Sequence, residues 1–312
     1  MCGITGIVSF DGTAIDEAVV RRMSDALAHR GPDGEGQWVE RNVGLGHRRL
    51  AIIDLSPAGI QPMLSADERY VLSYNGEIYN FRELRAELEA MGRVFRSRTD
   101  GEVLLQAYMA WGLAAIERFN GMFAFALYDR KTRQLLLARD RYGVKPLYYA
   151  RQGQHFAFGS EQKAILAAPA FARRIDKEAL LEYFTFQNLF TDRTLLQDVH
   201  TFPAGHHALL DVDSGRFTLT RYWDFHFREP EKALAPEEYR EELDHLFQQA
   251  VRRQLVSDVE IGSYLSGGMD SGSITAIAAR EHPYLKTFTC GFDLSSASGI
   301  ELAFDERPKA EA

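Results

Sequence analysis

Hydrophobic and polar residues alternate from the start of the chain. Ile4 and Val8 alternate with Thr5 and Ser9, a period of two that predicts a first β-strand. The pattern that follows predicts helices at 15–29, 80–91 and 100–119, and strands at 44–53, 70–74, 122–128, 134–138 and 155–158. Strands that cluster between helices without strict alternation favour an α+β fold over a parallel α/β sheet.

The pattern changes after residue 202. A turn signal at 202–205 precedes a predicted hairpin of 206–210 with 217–222, and a charged segment with two prolines at 228–236 is typical of a linker. A long amphipathic helix, an apolar strand, a glycine-rich turn, a helix and a strand follow, which predicts one βαβ unit. These last elements cover 236–257, 259–265, 271–280 and 287–292.

Three segments follow from this pattern: a first domain at 2–211, a hairpin and linker at 212–235, and the start of a second domain at 236–312. One βαβ unit cannot bury both faces of a sheet. We therefore expect the second domain to be incomplete and the chain to be a piece of a longer protein.

Composition excludes several classes of protein. The chain has 312 residues, of which 46% are hydrophobic and 26% are charged, as in a soluble globular protein. A net charge of −8 gives no electrostatic footprint for nucleic acid. No segment approaches the ~18 apolar residues of a membrane span, and no signal peptide is visible. Two cysteines form no disulfide framework, which suits the cytoplasm.

Cys2 directly follows the initiator methionine. Methionine aminopeptidase removes Met1 when the next side chain is small, so we expect the mature chain to begin with Cys2. An α-amine titrates at about 7.7–8.0, so nucleophile and base would sit on one residue. The alternative is an ordinary buried thiol on a first strand.

A glycine-rich run, Ser-Gly-Gly-Met-Asp-Ser at 266–271, lies between a predicted strand and helix. Its glycines and the helix N-terminus suit a phosphate group, and Asp270 either caps the helix or helps to hold Mg²⁺. The run lacks the lysine of a Walker loop. It resembles the SGGxDS pyrophosphatase loop of enzymes that cleave ATP between the α and β phosphates.

Several motifs of the first two hundred residues stand together in one order. They are His29-Arg30-Gly31-Pro32-Asp33, the run 46–54, Asn75-Gly76-Glu77-Ile78-Tyr79-Asn80, Thr99-Asp100-Gly101-Glu102, and the runs 121–126, 139–149 and 159–163. Together with Cys2 they resemble the class II glutamine amidotransferase domain. Followed by the loop at 266–271, they resemble the family of glutamine-hydrolysing asparagine synthetases over essentially the whole chain.

The resemblance implies an α+β N-terminal-nucleophile glutaminase sandwich. The start of an α/β ATP-pyrophosphatase domain, of the adenine nucleotide α-hydrolase-like type, would follow it. Cys2 would attack the glutamine amide, while the side chain of Asn75 and the backbone N–H of Gly76 would stabilise the oxyanion. Residue type alone also allows Asn75-Gly76 to be a tight hairpin turn.

The resemblance also implies how glutamine is bound. Arg49 would pair with the α-carboxylate, Asp100 with the α-ammonium, and Glu77 would fix the same end. Leu50, Ala51, Ile52 and Ile53 complete the glutamine-binding set, together with Asn75 and Gly76. Taken alone, Arg49 and Glu77 fit surface charges, and Asp100 fits the N-cap of a helix beginning at Gly101.

Other residues receive structural roles from the same resemblance. Arg30 and Asp33 would shape the loop beside Cys2, whereas Arg139, Asp140 and Lys145 would build the domain and its interface with the synthetase half. ATP would contact Leu265, Ser266, Gly267, Gly268, Asp270, Ser271 and, on the strand at 287–292, the backbone of Cys290.

The implied activity is glutamine-dependent asparagine synthesis. Glutamine gives glutamate and ammonia, ATP with Mg²⁺ activates the β-carboxylate of aspartate as an adenylate, and ammonia then gives asparagine, AMP and pyrophosphate. The implied partners are these small molecules and, since relatives often dimerise, a second copy of the chain. An amidotransferase that amidates a sugar acid or peptide stays open, and a binding protein without turnover is the alternative outside enzymes.

Overall fold

The computed structural model describes residues 1–230, 233–291 and 305–311. The chain divides into two compact units, Met1–His226 and Phe227–Ala312. The first unit therefore ends within the segment 212–235 that we interpret as hairpin and linker.

The strands of the first unit occur in groups between helices along the chain. Its strands are β1 Gly3–Ser9, β2 Gly34–Glu40, β3 Val43–Arg49, β4 Met63–Leu64, β5 Tyr70–Ile78, β6 Gly121–Asp129, β7 Gln134–Arg139, β8 Tyr148–Gln152, β9 His155–Gly159, β10 Val199–Thr201, β11 His206–Asp211 and β12 Phe217–Arg221. Its α-helices are α1 Glu17–Asp25, α2 Phe81–Ala90, α3 Asp100–Trp111, α4 Ala114–Arg118, α5 Gln162–Leu166 and α6 Lys177–Phe186.

Within residues 1–226, all of which are described, the strands form two six-stranded sheets. The first has the order β10-β8-β9-β1-β3-β2 and the second the order β12-β11-β7-β6-β5-β4. Every pairing in both sheets is antiparallel. This topology places β1, which carries Cys2 at its start, in the interior of one sheet, and β5 next to the edge strand of the other.

The two sheets pack face to face around an apolar core. Ile4 and Val8 of β1 lie in the same buried cluster as Ala124 and Ala126 of β6, because alternate residues of a strand point to opposite faces. Ile7 points the other way, into a second cluster with residues of α1 and α5. Helix α3 packs against β5 on the outside of the second sheet. The α+β prediction is confirmed.

Several predicted boundaries are wrong for local reasons. The helix predicted at 100–119 is two helices, because Gly112 adopts a φ of 59° between them. The strand predicted at 44–53 ends at Arg49, whereas the strand predicted at 70–74 continues to Ile78. The pattern also misses β2, whose sequence Gly-Glu-Gly-Gln-Trp-Val-Glu has little apolar character.

The second unit contains the predicted strand–helix–strand arrangement. Its described elements are α7 Pro236–Gln254, β13 Gly262–Tyr264, α8 Met269–Glu281, β14 Lys286–Phe288 and α9 Arg307–Glu311. Strands β13 and β14 are parallel, so the βαβ prediction is confirmed with shorter strands. Phe292, at the end of the predicted last strand, lies outside the described residues. In the described ranges, no helix combines the length and apolar character needed to cross a bilayer.

Candidate glutaminase and nucleotide sites

A cavity of about 230 Å³ lies in the first unit, beside the start of β1. It is lined by Met1, Cys2, Arg49, Leu50, Ile52, Ile53, Gly59, Gln61, Tyr74, Asn75, Gly76, Glu77, Thr99, Asp100, Gly101, Met122 and Lys145. These residues come from the start of β1, the end of β3, from β5, the start of β6, the start of α3 and the loops that follow β3 and β7. The structure thus brings together nearly all residues predicted for the glutamine site.

The thiol of Cys2 faces the loop that follows β3. The backbone N–H of Leu50 lies 3.3 Å from Sγ, and Sγ lies 3.5 Å from the Leu50 carbonyl oxygen. Burial raises the pKa of the Cys2 thiol, although the hydrogen bond from Leu50 opposes this effect. The site therefore disfavours a spontaneous thiolate, and a base is needed to activate the sulfur.

The backbone of Cys2 is held by a partly buried arginine. Arg30 Nε donates to the Cys2 carbonyl oxygen at 2.9 Å, and Arg30 Nη1 donates to Glu161 at 3.0 Å. Burial alone would raise the pKa of Glu161, but hydrogen bonds from Arg30, Lys163 and His29 lower it to about 2. An ionised Glu161 consequently orients the guanidinium that positions Cys2.

Arg49 lies at the end of β3 with its guanidinium at the cavity. Its Nη1 donates to the Ser56 carbonyl oxygen at 2.9 Å, and its Nη2 donates to the carbonyl oxygen of Asp54. A Cβ on Gly59 would lie 2.2 Å from Nη2, so only glycine leaves room for this side chain. Since a guanidinium has five N–H donors, Arg49 keeps donors for a ligand.

Asn75 and Gly76 lie within β5, opposite Ala124 and Phe123. The hairpin-turn alternative is therefore wrong. Asn75 is 1% exposed, and neither Nδ2 nor Oδ1 has a hydrogen-bond partner among the described residues. A buried amide without partners is costly, which points to a ligand as the missing partner.

Gly76 occupies a position that no larger residue fits. A Cβ there would lie 2.5 Å from the Met122 carbonyl oxygen and 2.6 Å from the ring of Tyr74. The strand therefore exposes backbone atoms, without a side chain, to the cavity next to the Asn75 amide.

Asp100 is the first residue of α3 and is buried. The N-cap is Thr99, whose hydroxyl accepts from the Glu102 N–H at 3.1 Å, so the N-cap alternative for Asp100 is wrong by one residue. Asp100 accepts from the Tyr74 hydroxyl at 2.6 Å and from the Ile78 N–H at 2.9 Å.

Glu77 lies near Asp100 and shares its acidic surroundings. Burial, and then repulsion by Asp100, raises the pKa of Glu77 to about 7. This pair of carboxylates makes one part of the cavity acidic, which suits an ammonium group.

The loop after β3 contributes unequally. Leu50, Ile52 and Ile53 line the cavity, whereas Ala51 does not. The Ala51 N–H instead donates to Asp33 Oδ2 at 2.9 Å. Asp33 therefore holds the loop in place, as the resemblance implies, and the glutamine-binding role of Ala51 stays a prediction.

The glycine-rich run 266–271 connects β13 to α8. The hydroxyl oxygens of Ser266 and Ser271 lie 2.8 Å apart, and the Ser266 hydroxyl accepts from the Gly268 N–H at 3.2 Å. Gly268 is the N-cap of α8, so Asp270 is the second residue of the helix and the N-cap alternative is wrong. The first N–H groups of a helix have no acceptor within it.

The ends of β13 and β14 are tied together beside this run. The Leu265 N–H donates to the Phe288 carbonyl oxygen at 2.9 Å, and the Thr289 hydroxyl donates to the Leu265 carbonyl oxygen at 2.7 Å. Cys290 is exposed and follows the end of β14, so its predicted place on a strand is wrong.

Comparison with known proteins assigns the family. The family model of the glutamine amidotransferase domain matches residues 1–223. The chain belongs to this family. A second family model, asparagine synthase, matches residues 242–312, so the amidotransferase domain is followed by sequence of that second family, as the resemblance implies.

Curated relatives of this glutamine amidotransferase are longer proteins. Asparagine synthetase [glutamine-hydrolyzing] 3 of Bacillus subtilis is 41% identical over 290 residues, which cover 89% of this chain and 45% of the relative. Asparagine synthetase [glutamine-hydrolyzing] 1 of the same organism is 38% identical, covering 97% of this chain and 48% of the relative. The chain thus spans about half the length of these relatives.

A solved structure supports the amidotransferase fold. Glutamine phosphoribosylpyrophosphate amidotransferase from B. subtilis, complexed with ADP and GMP, aligns with a TM-score of 0.55 at 16% identity. The alignment covers 97% of this chain and 70% of that chain. At this identity the likeness concerns the fold, and the predicted sandwich of an amidotransferase domain is confirmed.

Sequence reasoning missed several cavity residues of this amidotransferase domain. Gln61 accepts from the Tyr74 N–H at 2.6 Å through its side-chain oxygen, and no motif pointed to either residue. Lys145 lines the cavity, although we assigned it to domain building. The run 139–149 is one of the motifs that carry the family resemblance. Only the fold shows that its lysine lines the same cavity as Cys2.

Proposed function

We propose that the first unit hydrolyses glutamine to glutamate and ammonia. One observation carries the proposal: a thiol, a buried amide with no hydrogen-bond partner in the described part of the chain, and two groups of opposite charge surround a single cavity. The groups are Cys2, Asn75, Arg49 and Asp100. Opposite charges at separate positions match the α-carboxylate and α-ammonium of an amino acid, and the thiol would meet its side chain.

The chemical step begins with the release of Met1, which frees the α-amine of Cys2. The amine takes the thiol proton, and the thiolate attacks the amide carbon of glutamine. The negative oxygen of the tetrahedral intermediate accepts hydrogen bonds from Asn75 Nδ2 and the Gly76 N–H. The amine returns the proton to the departing ammonia, and water then hydrolyses the thioester to glutamate.

For the longer protein we propose glutamine-dependent asparagine synthesis, in the cytoplasm. The curated relatives carry that name, and the match to asparagine synthase covers residues 242–312. Aspartate would be the acceptor and ATP the co-substrate.

The run 266–271 fits a phosphate group, because exposed glycines precede the first turn of a 13-residue helix. Ser266, Gly267, Gly268 and Ser271 would hold the phosphates, and Leu265 and the Cys290 backbone would lie on the adenine side. Asp270 would help to hold Mg²⁺, which commonly binds through one or two carboxylates and substrate phosphates. When bound, Mg²⁺ neutralises phosphate charge.

The test uses glutamine labelled with ¹⁵N in the amide, with ATP, Mg²⁺ and aspartate, and mass spectrometry of the products. Labelled ammonia from this chain, lost in Cys2→Ala, supports the glutaminase. Labelled asparagine with AMP from the longer protein supports the synthetase. Labelled ammonia without asparagine redirects the proposal to another acceptor, such as a sugar acid or peptide, and no labelled product overturns it.

A further inference from the structure

Lys145 is a buried ammonium group on the wall of the cavity. It is 4% exposed and lines the cavity with Cys2 and Glu77. Within the described ranges, its Nζ makes no hydrogen bond or ion pair, and its hydrogen bonds are made by its backbone. Because a buried charge is costly unless it is paired, this placement calls for a partner inside the cavity.

The loop that contains Lys145 is held in place by backbone hydrogen bonds to a buried carboxylate. Asp140, which is 1% exposed, accepts from the N–H groups of Tyr142 at 3.1 Å, Val144 at 2.9 Å and Lys145 at 3.0 Å. It also accepts from the Phe123 N–H of β6 at 3.1 Å. The position of the lysine backbone is therefore fixed against the sheet.

Charged groups face Lys145 from several elements. Burial lowers the pKa of Lys145, whereas Glu77 on β5, the Cys2 thiol and Asp140 raise it; Arg30, next to β1, lowers it. None of these groups is a direct ion-pair partner, so the ammonium acts through space on the cavity.

The field of Lys145 reaches the Cys2 thiol. Burial raises the pKa of the Cys2 thiol and Asp100 on α3 raises it further, while Lys145 opposes both effects. Before Met1 is released, burial also lowers the pKa of the Met1 amine, and Arg30 and Lys145 lower it further, against Cys2 and Asp33.

We propose that Lys145 is a further residue of the glutaminase site, whose positive charge favours the reactive, singly deprotonated form of Cys2. The proposal rests on the proposed function. Deprotonation removes one positive charge from the thiol and amine together, whichever atom keeps the remaining proton. A neighbouring cation favours that loss, so Lys145 extends the activity of the site to lower pH.

The test is the pH profile of Cys2 alkylation by iodoacetamide, followed by peptide mapping, alongside the profile of glutaminase kcat/KM. In Lys145→Met, which keeps the apolar stem, we expect both acid midpoints to rise by about one pH unit. Lys145→Arg should restore them towards the wild type. Exposed Cys290 is the internal reference, and Lys131→Met, on the exposed turn after β6, is the matched control.

Two further variants keep the test decisive. The same shift in a Glu77→Gln background would exclude titration of Glu77 as its source, and Lys145→Gln replaces Lys145→Met if that variant fails to fold. Unchanged midpoints in a folded neutral variant overturn the proposal, as does a shift that Lys145→Arg shares in full. If the wild type does not release ammonia, the proposed function fails, while the alkylation profile still reports on Lys145.

Discussion

The cavity of the first unit and the glycine-rich run of the second are built in opposite ways. Asn75 and Asp100 are 1% and 7% exposed, whereas Gly267, Gly268 and Asp270 are exposed. The cavity holds a buried amide that has no partner among the described residues, while the hydroxyls of the run hydrogen-bond to each other and to its own backbone. The packed core of a sandwich can offset the free-energy cost of a polar group without a hydrogen-bond partner. The polar groups of a short loop instead form hydrogen bonds with one another.

The largest effect is expected from a substitution of Asn75 in the cavity. Because Asn75 Nδ2 is proposed to donate to the oxyanion, we expect kcat of the glutaminase to fall by about 100-fold in Asn75→Ala. Stability should change little, since the Asn75 side chain makes no hydrogen bond within the described residues. Steady-state kinetics and thermal unfolding check this together.

Asn42 is the matched control for Asn75. It is 3% exposed, and its Nδ2 donates to the Ser9 carbonyl oxygen at 2.6 Å. Asn42→Ala should therefore lower stability and leave kcat unchanged below the unfolding transition. A full kcat in Asn75→Ala would remove the oxyanion role.

A smaller effect is expected at Gly59. Gly59→Ala would push the Arg49 guanidinium from its place, so we expect KM for glutamine to rise about tenfold with a smaller change in kcat. In Gly34→Ala the new Cβ meets Arg49 Cβ at an ordinary 3.7 Å. Equal KM values for the two variants would contradict the assignment of Arg49 to the substrate carboxylate.

We expect Glu161 to affect the glutaminase reaction indirectly, through the orientation of Arg30. Glu161→Gln keeps an acceptor but loses the charge that orients Arg30, so we expect kcat to fall roughly threefold to tenfold while KM stays nearly constant. Glu87→Gln is the control, because Glu87 also pairs with an arginine, Arg118, but at the surface. If both variants behave alike, Glu161 is structural only.

Much of this arrangement is predicted from the sequence, because the motifs consist of residues whose types suit the chemistry of the site. The motifs identify Cys2, Arg49 and Asp100 through the family they resemble, and alternation finds β1. The central strand β5 is predicted only in its first half, since Asn75-Gly76 is also a strong turn signal. Its partner β6 decides the outcome by pairing with it throughout.

Contacts between distant segments explain what the sequence could not provide. The role of Gly59 depends on Arg49 being folded over it, and Lys145 reaches the cavity only because Asp140 organises its loop. Strand β2 has no apolar period but is held by seven paired positions along β3. Tertiary pairing overrides local preference in each case.

The smallest predicted effect lies in the second unit, at Gly272 of α8. A Cβ there would meet nothing within 4 Å, and alanine is favoured over glycine inside a helix by about 0.5–1 kcal/mol. We expect Gly272→Ala to slow hydrogen exchange in α8 by roughly twofold to fivefold, without changing glutaminase kcat. Unchanged exchange would mean that this helix is limited by the packing of Ile277 and Ala278 and not by backbone entropy. Such a result would weaken the contrast between the two regions, because the run before α8 would then depend on a core as the cavity does.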